Sequence, residues 1–173
     1  MLKKWVWLAV LAVVLDQITK IWANGALELH QRVDFLPMLN ITLMYNEGAA
    51  FSFLSNAGGW QRWFFTVLAI AVSIFIIVWL RKLPEDENVQ AAGLSLVLGG
   101  AIGNVLDRMM HGHVIDFIDF FYQSESCFVG FYYGGNGECH WPAFNIADSA
   151  IFLGAILLIA TSFKSEKKNP QEL

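Results

Sequence analysis

The sequence predicts a membrane α-helical protein: four transmembrane helices, with a small β-sheet or extended region in the outer loops. Three observations predict it. The 173 residues are 56% hydrophobic and only 15% charged, with a mean hydropathy of +0.49, too apolar for a water-soluble domain of this length. Four segments approach the roughly 20 apolar residues that a bilayer core of about 30 Å demands. Lysine and arginine gather on one side of those segments. The 14 Phe and 7 Trp suit the same solvent, since Trp favours the membrane interfaces. A net charge of −4 without a basic patch gives nucleic acid nothing to bind.

The whole chain, residues 1–173, reads as a single integral membrane domain. Span one covers residues 5–23 and is interrupted by Asp16 and Lys20. Lys3 and Lys4 before an apolar run also resemble the start of a cleaved signal peptide, but no clean A-x-A site follows and Asp16-Gln17-Ile18-Thr19-Lys20 continues helically. It is therefore expected to stay as a span. In the first outer loop, residues 24–60, Leu39, Ile41, Leu43 and Tyr45 alternate with Asn40, Thr42, Met44 and Asn46. That is the period of a strand with one apolar face. Gly48-Ala49-Ala50 then keeps side chains small, as a tight turn or a close backbone approach requires.

Span two, residues 61–80, has an uncharged apolar run from Trp63 to Leu80, and span three, residues 89–108, is rich in Gly and Ala. The second outer loop, residues 109–143, carries the aromatic, Gly-rich run Phe128 to Gly135, suited to a flexible flap over a site or to the bilayer surface. Span four, residues 144–163, has one acid, Asp148, near its start.

With four spans, Lys3, Lys4, Arg81, Lys82, Lys164, Lys167 and Lys168 share one side, which the positive-inside rule makes the cytoplasm. Both termini are then cytoplasmic. This topology delivers Asp16 and Lys20 from span one, Asn104, Asp107 and Arg108 from span three, Asp116 just beyond it, and Asn145 and Asp148 from span four to one outer layer. Ionisable groups at membrane depth are costly and normally face a protein interior or water. A shared polar site is the economical explanation.

On helices, Asn104 and Arg108, Asn145 and Asp148, and Asp16 and Lys20 each share a face. Asp16 with Lys20 suits an intrahelical ion pair, and Asp107 a structural acid beside Arg108. Asp116 and Asp148 have no cationic partner at helical spacing and lie where water reaches. Two carboxylates brought close together share a proton, so one serves as general base and the other as general acid, which suffices for peptide hydrolysis. A proton-coupled transporter also uses paired membrane acids, although no internal repeat is evident. A structural subunit, packed through Gly99, Gly100 and Gly103, is a third reading. No G-x-S-x-G or H-E-x-x-H motif supports serine or zinc chemistry. His111, His113, His140 and the two cysteines lack tight metal-ligand spacing.

From Asp16 to about Phe163 the chain resembles the lipoprotein signal peptidases, or signal peptidase II. The motifs are Asp16-Gln17-Ile18-Thr19-Lys20, Asn46-Glu47-Gly48-Ala49-Ala50-Phe51, the run Gly99 to Arg108, Val114-Ile115-Asp116-Phe117 and Phe144-Asn145-Ile146-Ala147-Asp148. The resemblance implies an aspartyl endopeptidase of the bacterial inner membrane that cuts diacylglyceryl-modified prolipoproteins immediately before the lipidated cysteine. It implies Asp116 and Asp148 as the catalytic pair, with Asn46, Asn104, Arg108 and Asn145 orienting substrate or dyad. Asp16, Lys20, Gly48 and Asp107 would shape the pocket. It further implies sensitivity to globomycin-type cyclic peptides. Membrane lipids are expected partners, no metal or other cofactor is expected, and the chain is expected to act as a monomer. The stretch between Asp116 and Asp148 is longer than the family pattern. Its extra length includes Cys127 and Cys139, open to a disulfide in an oxidising compartment.

Overall fold

The computed structural model describes residues 2–48 and 59–168. Its helices are α1 (Leu2–Ala26), α2 (Trp60–Lys82), α3 (Asn88–Met110) and α4 (Ile146–Lys168). Its strands are β1 (Arg32–Leu36), β2 (Leu39–Asn46), β3 (Val114–Gln123), β4 (Tyr132–Gly135) and β5 (Glu138–His140). All four helices are long and apolar enough to cross a membrane. The fourth helix begins at Ile146 rather than at residue 144. Phe144 is spent on an antiparallel bridge to Ile118 of β3, its N–H donating to the Ile118 carbonyl at 3.0 Å. Asn145 therefore lies just ahead of the helix and not on a helical face with Asp148.

The chain divides into two compact units. The first holds the chain through Asp16, then Val67–Leu106, then the chain from Ile146 onward. Ala9, Ile76, Leu80, Leu83, Ala91, Leu94 and Leu98 form its core. Small residues set the helix spacing. A Cβ on Gly99 would stand 2.6 Å from the Ala9 carbonyl oxygen of α1, one on Gly154 would stand 2.6 Å from the Gly93 carbonyl oxygen, and one on Gly100 would collide with the Ala147 carbonyl. Lipid supplies no hydrophobic drive between helices, so close backbone packing must hold them. On the outside Val67, Ile74, Phe75, Phe152 and Phe163 are more than half exposed, an exterior suited to hydrocarbon rather than water.

The second unit, Gln17–Thr66 with Asp107–Asn145, contains the sheet. Its strands run in the order β1-β2-β3-β5-β4, every pairing antiparallel. The β1–β2 turn places Met38 at φ 67°. The expected strand over Leu39 to Tyr45 is present, but its apolar set is not the buried one. Asn40 and Thr42 are buried with Leu43, whereas Tyr45 is exposed and Leu39 and Ile41 are half-buried. The cause is a polar cluster beneath the sheet. Asn40 Nδ2 donates to Asp119 at 3.1 Å, and Thr42 Oγ1 donates to the Gln31 carbonyl at 2.8 Å. Asp119 also meets Arg32 Nε at 3.1 Å and Nδ1 of the fully buried His140 at 2.8 Å.

Within the aromatic, Gly-rich run Phe128 to Gly135, the last four residues form β4, which pairs with β5, itself paired with β3. A disulfide joins Cys127 to Cys139, 12 residues apart. Both sulfurs are thereby removed from any metal reading with His111, His113 and His140.

Candidate active site

Asp116 sits third in β3, opposite Met44 of β2, and is almost fully buried. Asn145 Nδ2 donates to its Oδ1 at 2.7 Å and Asn46 Nδ2 to its Oδ2 at 3.1 Å, so each carboxylate oxygen has an amide donor. Both donors are themselves fixed. Asn46 Oδ1 accepts the Gly48 N–H at 2.9 Å, a local turn in which Gly48 takes φ 112°. A Cβ on Gly48 would lie 3.1 Å from the Phe65 ring and 3.3 Å from Gln61 Cγ. That glycine thus answers to backbone conformation and close approach together; Ala49 and Ala50 lie outside the described residues. Asn145 is held by the Phe144 strand bridge, where the Phe144 carbonyl accepts the N–H groups of Phe117 and Ile118 at 3.0 and 2.9 Å.

Asp107 forms a second buried node in the same unit. Its Oδ2 meets Lys20 Nζ at 2.9 Å and accepts the Ile115 N–H at 3.0 Å, while Oδ1 accepts Gln17 Nε2 at 2.9 Å. Lys20 and Asp107 are each about 1% exposed, where an ion pair is sustained only with further hydrogen bonds. Here one carboxylate ties two residues of α1 to the backbone directly before Asp116. Arg108 turns its guanidinium to the Phe65 ring, 5.9 Å from the centroid, a cation–π contact.

In the first unit, Asp148 stands in the first turn of α4 and accepts Asn104 Nδ2 at 2.8 Å. Asp16, fully buried in α1, accepts the Ala147 N–H at 2.9 Å. A carboxylate at a helix N-terminus satisfies a backbone donor that has no partner inside the helix and complements the positive end of the helix dipole. Space for Asp16 comes from Gly103, whose Cβ would lie 2.5 Å from Asp16 Oδ2.

Every site residue expected from sequence thus belongs to one of two sets. Asn46, Gly48, Asp107, Arg108, Asp116, Asn145 and Lys20 fall in the sheet unit, and Asp16, Asn104 and Asp148 in the helical unit. Three polar participants were not foreseen. Gln17 lies inside the first motif, where its neutral side chain carries no charge to mark it beside Asp16 and Lys20. Asp119 and His140 form a buried pair on the face of β3 opposite Asp116, since residues three apart on a strand point to opposite sides. His113 stacks on Tyr45 with centroids 4.0 Å apart. Burial, reinforced by nearby His111 and Arg62 and opposed by Asp107 and Glu47, holds its imidazole below the ordinary value of 6.5.

The family model for signal peptidase (SPase) II matches residues 8–164. The lipoprotein signal peptidase of Alteromonas mediterranea is 46% identical over 98% of this chain and 85% of its own length. That of Hydrogenovibrio crunogenus is 48% identical over 94% of this chain and 88% of its own. A bacterial membrane enzyme solved by the in meso method at 2.3 Å resolution superposes with a TM-score of 0.74 at 29% identity, covering all of this chain and 94% of that one. A second such structure, at 1.9 Å, gives 0.72 at 29% identity, with 95% of each chain covered.

Proposed function

The chain belongs to the signal peptidase II family and is a multi-pass membrane protease acting on lipoprotein precursors, and from that premise we propose that it works as an intramembrane aspartic endopeptidase. Asp116 and Asp148 are its catalytic pair, and the bond it cuts precedes a diacylglyceryl-modified cysteine. The observation that carries this reading is the hydrogen bond from Asn145 to Asp116 at 2.7 Å. Asn145 ends the strand-bridged segment, and α4 begins at the next residue with Asp148 in its first turn. One short stretch of chain therefore fixes the first carboxylate and launches the helix that carries the second.

Amide donors suit this chemistry, because they orient a carboxylate without adding positive charge. One aspartate accepts a proton from water as the water oxygen attacks the scissile carbonyl carbon. The other, protonated, donates to the carbonyl oxygen. Collapse of the tetrahedral intermediate breaks the C–N bond, with a proton passing to the departing amine.

The same reading places the enzyme in the bacterial inner membrane, both termini cytoplasmic, the site near the periplasmic face and the chain acting as a monomer. Acyl burial, at about 0.8 kcal/mol per CH₂, lets the substrate's lipid supply binding and select the modified precursor. Globomycin-type cyclic peptides are expected to compete with it.

The test is cleavage in detergent or proteoliposomes of one precursor with and without its diacylglyceryl group, by the wild type and by the Asp116→Asn and Asp148→Asn variants. Only the modified form should be cut, and each variant should insert normally yet lose about 10²- to 10⁴-fold in rate. Equal cutting of both precursors, or full activity in both variants, defeats the proposal.

A further inference from the structure

The turn that caps the disulfide-closed hairpin is built to hold apolar side chains outward. Phe131 N–H donates to the Phe128 carbonyl at 3.0 Å, and Gly130 takes φ 93°, which gives a glycine-dependent turn with Val129 at its tip. Val129 is fully exposed and Phe128 is 76% exposed. Behind them the loop is packed. Phe131 meets Tyr122 and Trp141 with centroids 5.0 and 5.2 Å apart, Gly130 lies against the Trp141 ring, and Tyr122 Oη accepts the Phe128 N–H at 2.8 Å. The Cys127–Cys139 bond closes the base. Two large apolar side chains on a braced tip are costly in water, and a solitary tip buries neither.

We propose that this loop is a membrane anchor, with Phe128 and Val129 inserted in the lipid leaflet on the side where α3 ends. This rests on the four-span character of the chain and is independent of the peptidase chemistry. Composition selects lipid over protein. The ten residues from Phe128 to Gly137 contain no Asp, Glu, Lys, Arg or His, whereas a protein partner calls for a polar rim around an apolar centre. Tyr122, Tyr132, Tyr133 and Trp141 are the residue types that favour the bilayer interface. Continuity points the same way. The same unit contains the C-terminal ends of α1 and α3 and the N-terminal end of α2, where Trp22, Trp60 and Trp63 are exposed. Trp141 itself precedes the first residue of α4 by only five positions, a tether of at most about 18 Å.

The test uses the full chain in phosphatidylethanolamine–phosphatidylglycerol vesicles with a nitroxide on Val129→Cys, the native cysteines remaining in their disulfide. Exposed Glu125→Cys in the same loop is the aqueous control. Collision with oxygen relative to a water-soluble nickel chelate should be several-fold higher at 129 than at 125. Equal ratios at the two sites overturn the anchor. A photoreactive benzoylphenylalanine in place of Phe128 gives a second readout that keeps an aromatic ring. Lipid adducts in native membranes are expected, and protein adducts without lipid adducts overturn it.

Discussion

Asn145 carries more of the site than its neutral side chain suggests, because its Nδ2 serves the Asp116 carboxylate at 2.7 Å and the Ile115 carbonyl at 3.3 Å. Asn145→Ala removes a hydrogen bond to a carboxylate, about 1.5–3 kcal/mol, or roughly 10- to 100-fold in cleavage rate if expressed in the transition state. Single-turnover kinetics should place the loss in the chemical step. His113 gives a second expectation. Its folded-state pKa lies below the 6.5 of the unfolded chain, so the unfolded state binds more protons as the pH falls through 6.5, and stability falls with it. Thermal unfolding in detergent on either side of pH 6.5 should show that slope, and His113→Gln should flatten it. Among single residues, those with chemistry at a telling depth were legible: an acid inside an apolar span announces itself. Asp119 and His140 were not, since their partnership needs the sheet register that sets β3 beside β5.

At the level of elements, α3 contributes a run of glycines that admits its neighbours by backbone contact. Gly103→Ala puts a methyl carbon 2.5 Å from Asp16 Oδ2, so the Asp16 carboxylate must shift, which strains the bond its Oδ1 accepts from the Ala147 N–H. Overpacking of this kind costs about 1–3 kcal/mol. A lower midpoint of thermal unfolding, with normal membrane insertion, is the expected result. The spans were readable because hydropathy and length are local properties. The hairpin was readable only in its period. Which face it buries is decided by Asp119, Arg32 and His140, residues from β1, β3 and β5 that strand alternation in β2 cannot report. Hydropathy does not mark the start of α4 for a similar reason, since Phe144 is apolar enough for a span but is taken by Ile118 of β3.

For the molecule as a whole, orientation rests on charge. Lys3, Lys4, Arg81 and Lys82 lie at helix ends remote in sequence from the loop segments 24–59 and 111–141, where Arg32 is the one strong base. A fluorescent protein fused after Leu173 should therefore fold and emit in the cytoplasm, while Glu125→Cys should react with a membrane-impermeant thiol reagent added outside spheroplasts. Labelling only after lysis would reverse the assignment. The junction at Asn145 also limits how the chain can change length. Because α4 starts at the residue after Asn145, one residue inserted between Ile146 and Ala147 swings Asp148 about 100° around the helix axis and 1.5 Å along it, away from Asn104. The hairpin between Gln123 and Glu138 imposes no such phase. Deletions and insertions should therefore be tolerated better between residues 124 and 137 than between 145 and 148, a pattern that a library of random length variants would reveal.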